Sequence, residues 1–180
     1  KVNMSSVSLF VFQLLAHVGL IYVLMTGGII ELLCVIAIYF CQMTFGMTMV
    51  FHRLLSHKSW KSPRWFEIVG TVIGSLALVG SSVAWVAVHR EHHRHSDQYN
   101  DPHSPSHISW WRVQWLSMFE PVNAKFSIDC FKDPFHRFMH EKYFVIHAAI
   151  LLFGLIVSPH WTAVLYLAPA AITWLSLIHI

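Results

Sequence analysis

The sequence predicts an all-α, polytopic membrane protein that forms a single domain over residues 1–180. Of its 180 residues, 56% are hydrophobic and only 12% are charged. Several apolar runs approach the roughly 20 residues that a helix needs to cross a bilayer. All Lys and Arg residues except Lys1 lie between Arg53 and Lys142. A soluble domain of this length could not bury so many continuous apolar runs, so a membrane bundle is predicted.

Four of the apolar runs are predicted to be transmembrane helices, at about residues 7–25, 29–51, 144–158 and 161–180. The first run lacks the small-residue cleavage site of a signal peptide, so we expect it to be retained. Short loops on the cytoplasmic side of a membrane carry an excess of Lys and Arg. The basic segment from about 52 to 142 is therefore predicted to be cytoplasmic.

Two further segments are predicted to stay on the cytoplasmic side. The apolar run 65–88 is interrupted by Gly and Ser, and if it crossed the bilayer it would separate two His-rich segments onto opposite faces. We predict a broken helix that starts near Pro63 and lies against the membrane or dips into it. The Trp-rich stretch Ser109–Phe119 is predicted to be an interfacial helix.

Fourteen histidines include two groups with a regular spacing. The first histidine group is His52 and His57, at the end of the second predicted span. The second histidine group is His89, His92 and His93, at the end of the run 65–88. Residues three or four apart share a helix face, so the second group can point at one place. The five-residue spacing of the first group suits a helix end or two neighbouring metal ions.

The chemistry of these side chains points to a metal site. Imidazole binds Fe, Zn and Cu, and the lack of nearby cysteine favours iron and oxygen chemistry over structural zinc. Glu91, Asp97 and Asp101 are predicted to hold imidazole N–H groups, although they are too few for a carboxylate-bridged site. Other histidines are predicted not to be ligands: His17, His95, His103, His107, His136, His140, His147, His160 and His179.

The two histidine groups and their flanks resemble the first two histidine boxes of the membrane fatty-acid desaturases. The flanking matches are Trp85-Val-Ala-Val88 before the second group and Asp101-Pro-His-Ser-Pro105 after it. The stretch Lys132-Asp-Pro-Phe135 resembles the Δ9 branch of that family. The similarity covers most of residues 45–145, and paired boxes at this separation are a specific signal.

The resemblance implies a non-haem di-iron enzyme that uses O2 and two electrons to place a cis double bond, at Δ9, in a fatty-acyl lipid or acyl-CoA. An external electron donor such as ferredoxin or cytochrome b5 is implied, as is an active site on the cytoplasmic side. Ala87-Val88, where animal acyl-CoA desaturases have a charged pair, favours an acyl-lipid substrate. Trp85 is the expected wall of a substrate tunnel. The implied iron ligands are His52, His57, His89, His92 and His93.

The sequence departs from the family pattern in one respect. A third histidine box and a further His-containing motif, which supply the remaining ligands in the family, are not present in the 180 residues. The chain begins with Lys1 and ends within an apolar run at Ile180, so we expect it to be truncated before the third box and inactive alone.

Three other functions remain open from the sequence. A hydroxylase or ketolase of the same superfamily, acting on alkanes, sterols or carotenoids, would use the same ligands. A haem-binding membrane electron carrier would use histidines within spans, such as His17 and His147. A metal transporter would place its polar ligands midway along its spans.

Overall fold

The computed structural model describes residues 4–96, 98, 101 and 109–177. Within these ranges the protein consists of helices and turns with no strand, which confirms the all-α prediction. The predictions for Asp97, His103, His107 and His179 fall outside the described residues.

The first two predicted spans are present as long helices. Helix α1 is Met4–Thr26, and helix α2, Ile29–Phe40, continues directly into a π-helix at Cys41–Ser56. Gly27 and Gly28 form the turn between α1 and α2, where the Gly28 N–H donates to Glu31 Oε2 at 3.0 Å. Met4–Thr26 and Ile29–Ser56 are both long and apolar enough to cross a membrane.

The apolar run 65–88 forms a broken helix, as predicted. Helix α3 covers Arg64–Ser75 and helix α4 covers Ser82–His95. Between them Leu78 has φ 56° and Gly80 has φ 98°, left-handed values that end one helix and redirect the chain. At 12 and 14 residues, neither helix is long enough to be a candidate span.

Two side chains from other helices satisfy the backbone of this break. Gln13 Nε2 in α1 donates to the Leu78 carbonyl at 2.6 Å. The Gly80 N–H donates to the Tyr143 hydroxyl at 3.2 Å, and this hydroxyl donates to the Ser75 carbonyl at 3.4 Å. Because Leu78 and Tyr143 are buried, these backbone groups would otherwise have to be desolvated without a partner.

The connecting segment carries two short helices, α5 at Trp110–Trp115 and α6 at Ile128–Lys132. A 3-10 turn, Ser117–Phe119, follows α5, so part of the predicted Trp-rich helix is observed. Trp110 and Trp111 are exposed. The location of this helix at a membrane surface stays a prediction.

The C-terminal part is more divided than the sequence predicts. Its helices are α7 (Pro134–Glu141), α8 (Tyr143–Val157), α9 (Pro159–Thr162) and α10 (Ala168–Ser176), with a π-helical segment, Ala163–Leu167, between the last two. The bent pair α7 and α8 has an angle of 62°, and counting it as one span raises the candidate spans among the described residues from two to three. The predicted count of four stays a prediction.

Helix α3 and the π-helix approach each other through two glycines. A Cβ atom on Gly46 would lie 2.6 Å from both the Cα and the N atom of Gly74. Only residues without a side chain permit such backbone contact between helices. This contact holds α3, and therefore the start of the break, against the helix that carries the first histidine group.

The Gly46→Ala substitution should destabilise the protein, because the new methyl group meets backbone that cannot rotate away. We expect a loss of about 1–3 kcal/mol, seen as a lower thermal unfolding midpoint in detergent. Gly28→Ala is the matched control, since its Cβ would meet only the flexible Glu31 carboxylate at 3.2 Å. Equal midpoints for the two variants would contradict this packing.

Candidate metal centre

The π-helix brings His52 and His57 onto neighbouring turns. In a π-helix the hydrogen bonds join residues five apart, and the His57 N–H donates to the His52 carbonyl at 3.1 Å. The two ring centroids are 4.6 Å apart. The five-residue spacing, which does not suit one face of an α-helix, is therefore matched by the local backbone.

Helix α4 presents His89 and His93 to the first histidine group. These two residues are four apart on one helix face, and their Nε2 atoms are 3.0 Å apart. His57 Nε2 lies 3.2 Å from His89 Nε2. One nitrogen from each of four residues lies within 4.8 Å of the others, and these residues are His52, His57, His89 and His93.

The arrangement of these nitrogens fits a metal ion. Two imidazole nitrogens bound to one ion at about 2.0–2.1 Å lie roughly 3 Å apart, close to the separations observed. His89 Nε2 faces the Nε2 atoms of both His57 and His93, and one neutral nitrogen cannot donate to both. A cation would be bound by all of these lone pairs at once. The four residues could therefore hold a metal ion.

His92 lies beside this group but its ligand atom is not part of it. Its ring centroid is 5.6 Å from that of His93. His92 Nδ1 donates to Asp101 Oδ1 at 2.8 Å, and the Asp101 carboxylate is buried. This is the contact predicted for Asp101, and a carboxylate that accepts from Nδ1 fixes the tautomer and the orientation of the ring. The corresponding prediction for Glu91 stays a prediction.

Burial favours the neutral form of two imidazoles in α4, those of His89 and His93. His89 is only 6% exposed, and burial lowers its pKa to about 3, assisted by the neighbouring His52 and His93. Burial also lowers the pKa of His93, with a further contribution from His57. Metal ligation requires the unprotonated imidazole, so the site holds these ligands in the form that binds.

Trp85 lies one turn before His89 and supports its ring. The two rings are nearly parallel, at 15°, with centroids 4.6 Å apart. Trp85 also packs against Phe51 of the π-helix, at 5.9 Å. The structure thus shows Trp85 against a predicted ligand, while its contact with a substrate stays a prediction.

Arg90 was not predicted from the sequence to belong to the site. It lies in α4, which carries the second histidine group, and it contacts the π-helix, which carries the first. It follows His89 in α4, and its guanidinium reaches backbone carbonyls at the end of the π-helix and the Asp129 carboxylate. The only sequence signal was its position inside the second group. Its partners lie more than 30 residues away, so no local pattern could identify them.

Two histidines outside the candidate metal centre hold the start of α4. His136 is buried, with Nε2 donating to Glu67 Oε1 at 2.9 Å and Nδ1 lying 3.0 Å from Ser82 Oγ. His140 Nδ1 is 2.6 Å from Ser81 Oγ. These contacts give both residues a packing role near the helix break.

Histidines within the predicted spans also pack against aromatic side chains. The His17 ring lies 4.8 Å from that of Trp115. His147 is buried, and its Nδ1 lies 2.8 Å from the Tyr166 hydroxyl. Neither belongs to the four-histidine group.

Comparison with known proteins gives a consistent set of relatives. The sequence profile of the family described as fatty acid desaturase matches residues 29–180. An sn-1 stearoyl-lipid 9-desaturase from Anabaena variabilis is 34% identical over 141 residues, covering 76% of this chain and 52% of the relative. The corresponding enzyme of Synechocystis sp. is 34% identical over 116 residues, covering 61% of this chain and 36% of the relative.

A third relative carries a different name. An acyl-CoA C20 Delta5-desaturase from Anemone leveillei is 37% identical over 129 residues, covering 66% of this chain and 41% of the relative. In these three comparisons the chain spans about half the length of the curated relative or less.

Acid should destabilise the metal-free protein through His89. Its pKa is about 3 when folded and near 6.5 when unfolded, so the unfolded state binds more protons between these values. The contribution of neutral His89 to the free energy of unfolding is therefore fully present above pH 6.5, and it is lost as the pH falls towards 3. We expect the melting temperature in chelator to fall between about pH 7.5 and about pH 5.5.

The His89→Gln variant should show a smaller fall over the same range, because it lacks this titrating group. His95→Gln, in the same helix but outside the four-histidine group, should behave like the unchanged protein. Parallel pH profiles for the unchanged protein and His89→Gln would rule out this account of the acid sensitivity.

Proposed function

Because the chain belongs to the fatty acid desaturase family, we propose that the protein carrying it is an oxygen-dependent fatty-acyl desaturase with a non-haem di-iron centre. The observation that carries this proposal is the convergence of four imidazoles from two segments that lie more than 30 residues apart. Family membership gives such a cluster a specific chemistry, since imidazole alone does not select a metal.

In this proposal the two histidine groups hold iron on the cytoplasmic side of the membrane. The ligands are His52, His57, His89, His92 and His93, with Asp101 fixing the tautomer of His92. When bound, the iron would supply the activation of O2 that removal of hydrogen from an unactivated C–H bond requires. Two irons need further ligands, which family resemblance assigns to a third histidine box.

The chain's own residues shape the surroundings of the metal. Trp85 orients the His89 ring and is proposed to form one wall of the tunnel that positions the acyl chain. The buried side of the centre is apolar, with Val50, Phe51 and Val86 among its core residues. We propose that this apolar surface excludes water from the methylene groups of the acyl chain that react.

Four membrane spans, at about 7–25, 29–51, 144–158 and 161–180, are proposed to deliver the substrate from the bilayer. In this topology the candidate metal centre lies just beneath the cytoplasmic leaflet, where an acyl chain can enter and a soluble donor can dock. Ferredoxin or cytochrome b5 is the proposed electron donor.

The named relatives support desaturation in preference to hydroxylation or ketone formation. Two of them are stearoyl-lipid 9-desaturases, which favours a Δ9 product and an acyl-lipid substrate. The acyl-CoA Delta5-desaturase shows that position and carrier vary among relatives of similar identity. The haem-carrier alternative gives no role to the convergence of the four imidazoles.

Expression of the full-length protein in a host that lacks its own desaturase should produce a monounsaturated acyl lipid, detected by mass spectrometry. His89→Ala should abolish the product, because it removes the imidazole at the centre of the cluster. His95→Ala should retain it, since His95 lies in the same helix but outside the four-histidine group. Unchanged lipids despite good expression and iron loading would contradict desaturation.

A further inference from the structure

Arg90 joins the helices of the two histidine groups. Its Nε donates to the Ser56 carbonyl at 2.9 Å, and Nη2 donates to the Leu55 carbonyl at 2.6 Å. Its Nη1 donates to the Phe126 carbonyl at 2.7 Å. One half-buried side chain thus connects α4 to the π-helix and to the segment before α6.

These contacts satisfy groups that a helix leaves without a partner. The last carbonyls of a helix have no intrahelical donor, and Leu55 and Ser56 are the last two residues of the π-helix. A guanidinium presents five N–H donors in a fixed plane, so it can serve several carbonyls at once. A lysine ammonium has three donors on one atom and cannot reproduce this spread.

The Asp129 carboxylate ties Arg90 to the residue that follows the first histidine group. Asp129 accepts from Arg90 Nη1 at 2.8 Å and from Nη2 at 3.1 Å, and Lys58 Nζ lies 2.7 Å from Asp129 Oδ2. Burial would raise the pKa of Asp129, but the bonds from Arg90 and Lys58 outweigh it and hold this pKa well below its usual range. Asp129 is therefore a carboxylate at neutral pH.

Lys58 has an unfavourable backbone conformation beside His57. Its φ of 52° is left-handed, a region that favours glycine, and it ends the π-helix at the point where the Ser59 N–H donates to the Arg53 carbonyl at 3.0 Å. A residue with a side chain keeps such a conformation only when its surroundings hold it there. The contact with Asp129 is one such restraint, and it acts one residue from His57.

We propose that Arg90, Asp129 and Lys58 form an ionic latch that fixes His57 against His89 and so sets the geometry of the metal centre. Arg90 is the main positioning residue, because its bonds to carbonyls bridge the two helices directly. Asp129 and Lys58 contribute less, since both are substantially exposed and exposed ion pairs are weak. The latch rests on the proposed metal-binding function.

Co2+ titration of the chelator-stripped, full-length protein in detergent tests the latch without depending on activity. Arg90→Lys should weaken Co2+ binding about 10- to 100-fold, the usual effect of losing a group that orients ligands. It should also shift the visible ligand-field spectrum, because His57 would no longer be held in place. Asp129→Asn should cause a smaller but measurable loss of Co2+ affinity, up to about 10-fold.

Arg94→Lys is the matched control, with the same substitution one turn further along α4, where the Arg94 guanidinium lies over the Phe126 ring. The Co2+ affinity and the ligand-field spectrum of Arg94→Lys should equal those of the unchanged protein. Wild-type affinity and spectrum in Arg90→Lys would overturn the latch, even if its metal-free form melted at a lower temperature. Should Arg90→Lys fail to fold, Asp129→Asn decides, and equality with Arg94→Lys overturns the latch.

The same titration separates the latch from the function on which it rests. Absence of Co2+ binding by the unchanged protein, or unchanged binding by His57→Ala, would overturn the proposed metal centre itself. Loss of binding in His57→Ala together with unaltered binding in Arg90→Lys would overturn only the latch.

Discussion

The structure depends on a buried break in a helix whose backbone groups must find hydrogen-bond partners. Leu78 and the residues beside it lie inside the bundle, where an unpaired carbonyl or amide is costly. Gln13 and Tyr143 supply the partners from α1 and α8. With these groups satisfied, α4 can start in a new direction and pack its C-terminal half on the π-helix. The second histidine group meets the first for this reason.

A second deviation from the α-helix serves the same site. The π-helical backbone links His52 to His57 by a hydrogen bond between residues five apart, which matches the spacing of the first histidine group. Gly46 and Gly74 let α3 approach this wider helix closely. The irregular π-helix and the broken helix are therefore packed on each other, and the candidate metal centre lies where they meet.

The sequence predicted those features that depend on residues close together in the chain. Gly and Ser around Gly80 indicated a break, and the spacing of His89 and His93 indicated a shared helix face, which the structure confirms. Asp101 was predicted as an imidazole partner because it lies close in sequence. The two long N-terminal helices followed from apolar composition.

Contacts between residues that lie far apart in the chain could not be predicted from the sequence. Arg90 contacts carbonyls 34 and 35 residues away, and Gln13 contacts one 65 residues away. The π-helix has no residue preference that distinguishes it from an α-helix in one sequence.

X-ray absorption at the iron edge of the full-length protein tests the central claim most directly. Imidazole scattering should fall in His57→Ala and in His89→Ala alike, because both groups bind one centre. A spectrum that changes in only one of these variants would contradict the account.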